Sequence, residues 1–234
     1  MPYEFRFDVL LQYREQLLNG LLVTLWLSLT SIILGTLAGV VLASLRSVSG
    51  RVIRFLVDTY VEVIRNTPFL VQLFIIYFGL PTIGLRVGAL TAALIGMVLN
   101  LTAYSTEIIR AGIESIHRSQ IEAGEALGLT RFQIYRDIVV LPAIAKVYPA
   151  LCSQFVLMML ASSICSAIST PELTAAASFA QSQSYRSFEI YIAVSLIYLA
   201  LALGLRGVLA LIGWRLFARS GKDSPTLPLM PEAA

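Results

Sequence analysis

Residues 20–45 read GLLVTLWLSLTSIILGTLAGVVLASL, 26 positions without one charged side chain. At 1.5 Å per residue such a run exceeds the ~30 Å hydrocarbon core of a bilayer, so it reads as a transmembrane helix. Gly35 and Gly39, like Ala38 and Ala43, either admit a neighbouring helix to close approach or face lipid. Arg46, Arg51 and Arg54 follow at once. The composition agrees: 57% hydrophobic residues, 13% charged and a mean hydropathy of +0.80 exclude an ordinary soluble domain.

Upstream, residues 1–19 mix Glu4, Arg6, Asp8, Arg14 and Glu15 with Phe5, Leu10, Leu11, Leu17 and Leu18. That pattern predicts an amphipathic interfacial helix, not a signal peptide, which would place a basic start before a continuous apolar region. Downstream lie four more apolar segments. Val52 to Leu80 carries Asp58, Glu62 and Arg65 in its first half, then Asn66, Thr67 and Pro68. Proline suits a first helical turn, and Asn66 or Thr67 suits an N-cap. The segment therefore either kinks at Pro68 or breaks and restarts there, leaving a half-helix N-terminus whose N–H groups suit a carboxylate.

Val87 to Thr106 is uncharged and ends in a polar stripe: Asn100, Tyr104 and Glu107 fall on one helical face. Such a stripe either lines a water-filled cavity or glues helices together. Val147 to Pro171 is again uncharged and carries Ser153, Gln154, Ser162, Ser163, Ser166 and Ser169. Pro171 and Glu172 open a predicted loop that runs to about Glu189, and Ile190 to Trp214 is the last span, with Arg206 able to snorkel. The tail, residues 218–234, contains Pro225, Pro228 and Pro231 and is expected to be loosely ordered. Cys152 and Cys165 lie within one apolar segment and read as inert thiols, and His117 has no nearby metal-ligating companion. No catalytic constellation is visible.

Between the third and fourth spans lies a stretch too polar for the membrane, Gln120 to Pro142, QIEAGEALGLTRFQIYRDIVVLP. Glu122 to Ala126 are good helix formers, Gly128 suits a left-handed cap, and Thr130 reads as the N-cap of a second helix over 131–140. Pro142 fixes the approach to the next span.

This stretch resembles the EAA loop of ABC importer permeases, whose pattern is Glu-Ala-Ala, three residues, Gly, nine residues, then Ile-x-Leu-Pro. The chain supplies Glu122, Ala123, Gly128, Ile138, Leu141 and Pro142, with Gly124 in place of the second Ala and one extra residue before Leu141. In that family the loop docks into a groove on a cytosolic ATPase. Arg65 to Gln72 likewise resembles the Arg-Gly-Thr-Pro-Leu-Leu-Val-Gln signature of the polar amino-acid permeases, with Asn66 at the Gly position. Ala103 to Ile113 is similar to their Ala-Tyr-x-x-Glu-x-x-Arg-Gly-Gly-Ile, and His117 stands where they usually have Pro. The resemblance implies an all-α integral membrane protein of type I ABC importer architecture, dimeric, with five transmembrane helices per subunit. Its permease domain would cover residues 20–217, with the docking loop at 118–142. It implies ATPase docking through Glu122, Ala123, Gly124, Gly128, Leu141 and Pro142. The implied solute path runs along Asn66, Thr67, Pro68, Gln72, Asn100, Tyr104, Glu107, Ala161, Ser162 and Ser163; Ala161 stands where relatives often place Asp or Asn.

Charge sets the expected orientation. Of the 17 basic residues, twelve fall on one side: Arg46, Arg51, Arg54, Arg110, Arg118, Arg131, Arg136, Lys146, Arg206, Arg215, Arg219 and Lys222. Arg6, Arg14, Arg86 and Arg186 fall on the other, and Arg65 lies inside the second span. The positive-inside rule thus places the C-terminus and residues 110–146 in the cytoplasm and the N-terminus outside; the resemblance implies a bacterial inner membrane. No phosphate-binding Gly-x-x-x-x-Gly-Lys-Ser/Thr loop occurs, and the resemblance implies as partners separate ATPase subunits that use ATP-Mg, an external solute-binding protein and a second permease subunit, identical or paralogous. The chain itself is expected to bind no cofactor and no nucleic acid. The expected cargo is a polar amino acid or similar small zwitterion. Another small solute is the alternative, and a self-sufficient secondary transporter would need inverted repeats that the sequence does not display.

Overall fold

The computed structural model describes residues 5–217, and every regular element among them is helical. The expectation for residues 218–234 lies outside the described residues. Four helical stretches are long and apolar enough to cross a membrane: Arg14–Ser47, Ala89–Glu114, Arg131–Ile168 and Ser187–Phe217. A bent pair, Arg51–Arg65 with Phe69–Ile83, makes the fifth.

The N-terminal amphipathic helix is shorter than its sequence pattern suggests. One turn, α1 (Val9–Gln12), is followed directly by α2 (Arg14–Val48), which begins inside the expected interfacial segment. Val9 and Leu17 are buried against Leu173, Ala177, Ala180, Ile190 and Val194, so this segment packs on protein. The second span takes the broken form of the two the sequence allowed. α3 (Arg51–Arg65) and α4 (Phe69–Phe74) meet at 107°, and the chain continues through a π-helical turn, Ile75–Gly79, and a 3-10 turn, Leu80–Ile83. Pro68, extended at φ −64° and ψ 134°, has no N–H for the turn below it, and Asn66 ends α3; a break results, where a kink was the alternative.

α5 (Ala89–Glu114) is the central helix, extending two turns beyond the uncharged run to include Glu107 and Arg110. Its main partner is α2. A methyl group at Gly35 would stand 2.9 Å from Leu101 Cβ, and one at Gly39 2.6 Å from Ser105 Cβ. Both glycines therefore bring backbones together. Leu27, Leu73, Met97, Leu101, Phe155, Met158, Cys165 and Ile168 form the main core around α5. α6 (Arg118–Ala126), α7 (Arg131–Gln133) and a π-helical segment, Ile134–Val140, lead into α8 (Leu141–Ala161), which accommodates Pro149 internally and ends in a 3-10 segment, Ser162–Ile168.

The predicted loop after Pro171 is largely a helix, α9 (Leu173–Ser184). Its Leu173, Ala177 and Ala180 recur at helical spacing and are fully buried, which composition alone concealed. Glu172 caps it, accepting from the N–H groups of Thr174 (2.9 Å) and Ala175 (2.8 Å) and from the Tyr198 hydroxyl (2.7 Å). The last helix, α10 (Ser187–Phe217), turns most of its surface outward, as a lipid-facing span does.

Candidate functional site

Two polar places gather most of the residues singled out from the sequence. The first is a knob formed by α6, α7 and the π-helical segment. His117 caps α6: its Nδ1 accepts from the Ser119 N–H at 3.3 Å, which gives the lone histidine a structural duty. Gly128 (φ +75°) closes α6 from the left-handed region, with Gly128 N–H donating to Glu125 O (3.0 Å) and Leu129 N–H to Gly124 O (3.1 Å). Thr130 then caps α7 in a reciprocal box with Gln133.

The expected continuous helix over 131–140 is instead three residues of α7 and a π-helical stretch, in which Leu141 N–H donates to Arg136 O, five residues back. The wider turn takes up one residue more than an α-helical turn. The extra residue between Ile138 and Leu141 is absorbed there, and α8 keeps Leu141 and Pro142 in its first turn. Gly124 also finds its reason. It is buried against this stretch, and a Cβ there would stand 2.6 Å from Ile138 Cδ1 and 3.1 Å from Ile134 Cγ1.

Ile116, Val139 and Ala143 give the knob a small core of its own. Its outer surface is less polar than its sequence suggests. Leu127 is 80% exposed and Phe132 71%, flanking the exposed Glu122, Ala123 and Gly128. Arg136 lies 5.8 Å from the Phe132 ring centre and bonds Asp137 at 2.7 and 3.0 Å, which lowers the Asp137 carboxyl pKa from its ordinary value. Leu127 and Phe132 were not singled out from sequence. The available signal was two large apolar side chains in a stretch too polar for a core of that size.

The second place is the α3–α4 break, where α5 passes. Gln72 is 8% exposed, and its Nε2 donates to Ile64 O (2.7 Å), Thr67 O (3.1 Å) and Thr67 Oγ1 (2.8 Å). Its Oε1 accepts from Asn100 Nδ2 at 3.0 Å. Carbonyls freed at the end of α3 are thus satisfied by a side chain from the restarted helix, itself held by α5. Thr67 Oγ1 donates to Val63 O, and Asn66 Nδ2 to Glu62 O and Oε2. Above this, Arg65 lies 5.5 Å from the Tyr104 ring centre and 3.5 Å from Glu107 Oε1, while Arg110 bonds both Glu107 oxygens at 2.6 and 2.8 Å. The pairing continues through Glu114 and Arg46 to Asp58, tying α2, α3 and α5.

Six of the residues expected along the solute path therefore converge: Asn66, Thr67, Gln72, Asn100, Tyr104 and Glu107, with Pro68 in the turn. Gln72 and Asn100 are bound to the protein in this conformation and brace the break. The serines behave differently. Ser162 is fully buried and donates to Met159 O (2.6 Å), and Ser163 donates to Leu160 O (2.7 Å). Both hydroxyls turn back on their own chain, beside the half-buried Ala161. The 3-10 segment that they begin packs on α4 and α5, which places it next to the break without a polar link to it.

The sequence profile described as "Binding-protein-dependent transport system inner membrane component" matches residues 31–217. A putative glutamine transport system permease protein of Rickettsia prowazekii is 37% identical over 183 residues, covering 76% of this chain and 84% of its own length. A probable amino-acid ABC transporter permease protein of Vibrio harveyi is 35% identical over 197 residues, 83% of this chain and 88% of its own. Among solved structures, an amino acid ABC transporter with histidines superposes with a TM-score of 0.84 at 36% identity, over 91% of this chain and all of that one. A helical bundle with one broken span, a knob closed at Gly128 and relatives matched over most of their length leave one assignment: the chain is a membrane-spanning member of the binding-protein-dependent transport system inner membrane component family, a permease subunit of the ABC importers.

Proposed function

We propose that this permease carries a neutral or acidic amino acid, or a similar small zwitterion, inward, driven by separate ATPase subunits that hydrolyse ATP-Mg. The observation that carries the reading is the state of Glu107. It is the acid among the expected path residues, and it is already held by Arg110 and Arg65. An ammonium or guanidinium side chain entering beside it would have to compete with Arg110 and Arg65 for that carboxylate, and desolvating such a cation unpaired costs several kcal/mol. The names of the relatives, glutamine and amino-acid permeases, support the same class. The exposed Asn66–Pro68 turn and the Tyr104 face form the solute contact in this reading.

The knob is the ATPase dock, with Glu122, Ala123, Gly124, Gly128, Leu141 and Pro142 joined by Leu127 and Phe132. It faces the cytoplasm together with the C-terminus, and the N-terminus lies outside. A second permease copy and an external solute-binding protein complete the transporter. The test is uptake into proteoliposomes containing permease, ATPase and binding protein. ATP-dependent accumulation of glutamine or glutamate, with arginine and lysine failing to compete, is the expected result. Selective uptake of arginine or lysine by a homodimer of this chain would overturn the substrate class. Uptake driven by an ion gradient without ATP would overturn the coupling.

A further inference from the structure

The last turn of α3 leaves two opposite charges uncommitted. Glu62 is exposed, and Asn66 Nδ2 donates to its Oε2 (2.7 Å) and to its backbone O (2.9 Å). That amide holds the carboxylate in place without neutralising it, and among the described residues no arginine or lysine pairs with Glu62. Arg65 lies three residues on, a spacing at which a helix commonly pairs opposite charges. It turns to α5 instead, 3.5 Å from Glu107 Oε1 and 5.5 Å from the Tyr104 ring centre. Glu107 already accepts two short bonds from Arg110, so Arg65 is its looser partner. The Arg65 side chain stays 36% exposed, and no hydrogen bond among the described residues takes up its N–H groups.

Both charges lie deep. Asn100 stands roughly 17 Å from the Ala89 end of α5 and roughly 21 Å from the Glu114 end, at 1.5 Å per residue. Gln72 joins Asn100 (3.0 Å) to Ile64 O (2.7 Å), which fixes the end of α3 at that level. Glu62, two residues earlier, therefore falls near the middle of a ~30 Å hydrocarbon core. Tyr60 agrees, its hydroxyl donating to Leu99 O at 2.7 Å. Ionisable side chains at such a depth face a bundle interior or a water-filled cavity and find partners there. This face of α3 thus lies inside the assembled transporter.

Helical side chains three residues apart start about 5–6 Å from each other at Cβ. An α-amino acid carries its ammonium and carboxylate on adjacent carbons, so one headgroup spans that gap. A simple anion or a simple cation would answer only one of the two charges. We propose that Glu62 and Arg65 grip the charged ends of the transported zwitterion, the α-ammonium on Glu62 and the α-carboxylate on Arg65. The inference rests on the solute contact proposed at the Asn66–Pro68 turn and says how that contact recognises an amino acid. A basic side chain is then refused for a second reason. Its own α-ammonium occupies Glu62, while Arg110 and Arg65 hold Glu107.

The permease–ATPase complex in nanodiscs is equilibrated with radiolabelled glutamine, without the binding protein, whose own selectivity would mask that of the permease. The competitors are glutaramate, which lacks the ammonium, and glutaminamide, which lacks the carboxylate. Wild type should prefer glutamine to each by at least about tenfold, the size of one charge-assisted hydrogen bond. Glu62→Gln should erase the preference over glutaramate alone, and Glu62→Asp should keep part of it. Arg65→Gln should erase the preference over glutaminamide alone. Co-purifying ATPase and the melting temperature check that each variant is folded. Equal loss of glutamine and both analogues in either variant, as an ion bridge between two copies would give, would overturn the proposal. No retention of glutamine by the wild type would overturn it too, because the grip is on groups that every amino acid carries. Uptake by the full transporter separates this inference from the one beneath it. Amino-acid uptake with a KM that Glu62→Gln leaves unchanged would sink the grip alone, whereas no amino-acid uptake at all would sink the proposed function and the grip with it.

Discussion

Replacing Gln72 by Leu tests what holds the α3–α4 break together. Leucine approximates the volume of glutamine without its donors and acceptor. Asn100, 7% exposed, would lose the acceptor at 3.0 Å, and Ile64 O would lose the donor at 2.7 Å. Thr67 is exposed, so water replaces its lost partner at little cost. An unsatisfied buried amide costs about 1–3 kcal/mol and a lost ordinary bond about 1, a total of about 2–4. Inside a bilayer such terms run low, because the disordered reference state also finds partners, so about 2 kcal/mol is expected. That should lower the melting temperature of the solubilised complex by ~4–8 °C and cut uptake in proteoliposomes at least severalfold. Asn100→Leu should cost a similar amount, and the double variant should recover part of it, with a coupling of about 1 kcal/mol. If Gln72 touched solute and braced nothing, KM would rise at unchanged melting temperature and the two losses would add. That pattern would refute the reasoning.

Phe132→Asp or Leu127→Asp should weaken association with the ATPase by more than tenfold, measured by co-purification, while leaving the melting temperature of the permease close to wild type. Gly128→Ala meets nothing within 4 Å but forces φ +75° on a side chain, so a loss of about 1 kcal/mol local to the knob is expected, read by thermal denaturation and uptake. Gly39→Leu should abolish expression of a folded permease, since even the Cβ would stand 3.1 Å from the Thr106 N, whereas Gly204→Leu, with open space around it, should be silent. Burial pushes the Glu172 carboxyl pKa up, against three donated hydrogen bonds that lower it. The folded protein therefore holds that proton more tightly than the unfolded chain. This contribution is complete below the unfolded pKa and fades as pH rises through the folded one, so stability should decline above the ordinary carboxylate range. Glu172→Gln should flatten that decline in a melting-temperature series while costing about 1 kcal/mol of capping.

Where the sequence could be read, one rule governed each place locally. The uncharged runs forced spans, Gly128 forced the close of α6, and Thr130 forced the start of α7, because a bilayer, a positive φ and an orphan N–H each admit few solutions. Pro68 marked the break for the same reason. The readings that missed needed knowledge of what lay across from them. α9 is written in alanines, which suit a loop or a buried face equally until α2 and α10 cover them. Polar groups in a span suit a cavity or a partner equally, so the Asn100–Gln72 hydrogen bond was not legible from either residue alone. The π-helical turn was visible only as one residue too many before Leu141. Its wider ring absorbs that residue and brings Ile134 and Ile138 against Gly124.

The two polar places are joined by one rigid element. α5 meets the break at Asn100, Tyr104 and Glu107, and the knob at its far end. There Lys146 donates to Ser115 O at 3.1 Å, and Gly112 admits Val147 so closely that a Cβ would stand 2.1 Å from its Cγ1. From Asn100 to Gly112 is roughly 18 Å of unbroken helix. α2 adds a second strut, since Gly35 and Gly39 clasp α5 beside the polar stripe and Arg46 reaches both Asp58 and Glu114. A push on the knob therefore cannot be absorbed by bending at its base, because the side chains there have no free space. It must move α5, and with α5 the Asn100–Gln72 link that fixes the broken span. The soft point is the exposed turn at Asn66–Pro68, which has no helical hydrogen bonds across it. Motion applied at the knob would thus emerge as a change in angle between α3 and α4, beside the Tyr104 face; under the proposed function that couples the dock to the solute contact.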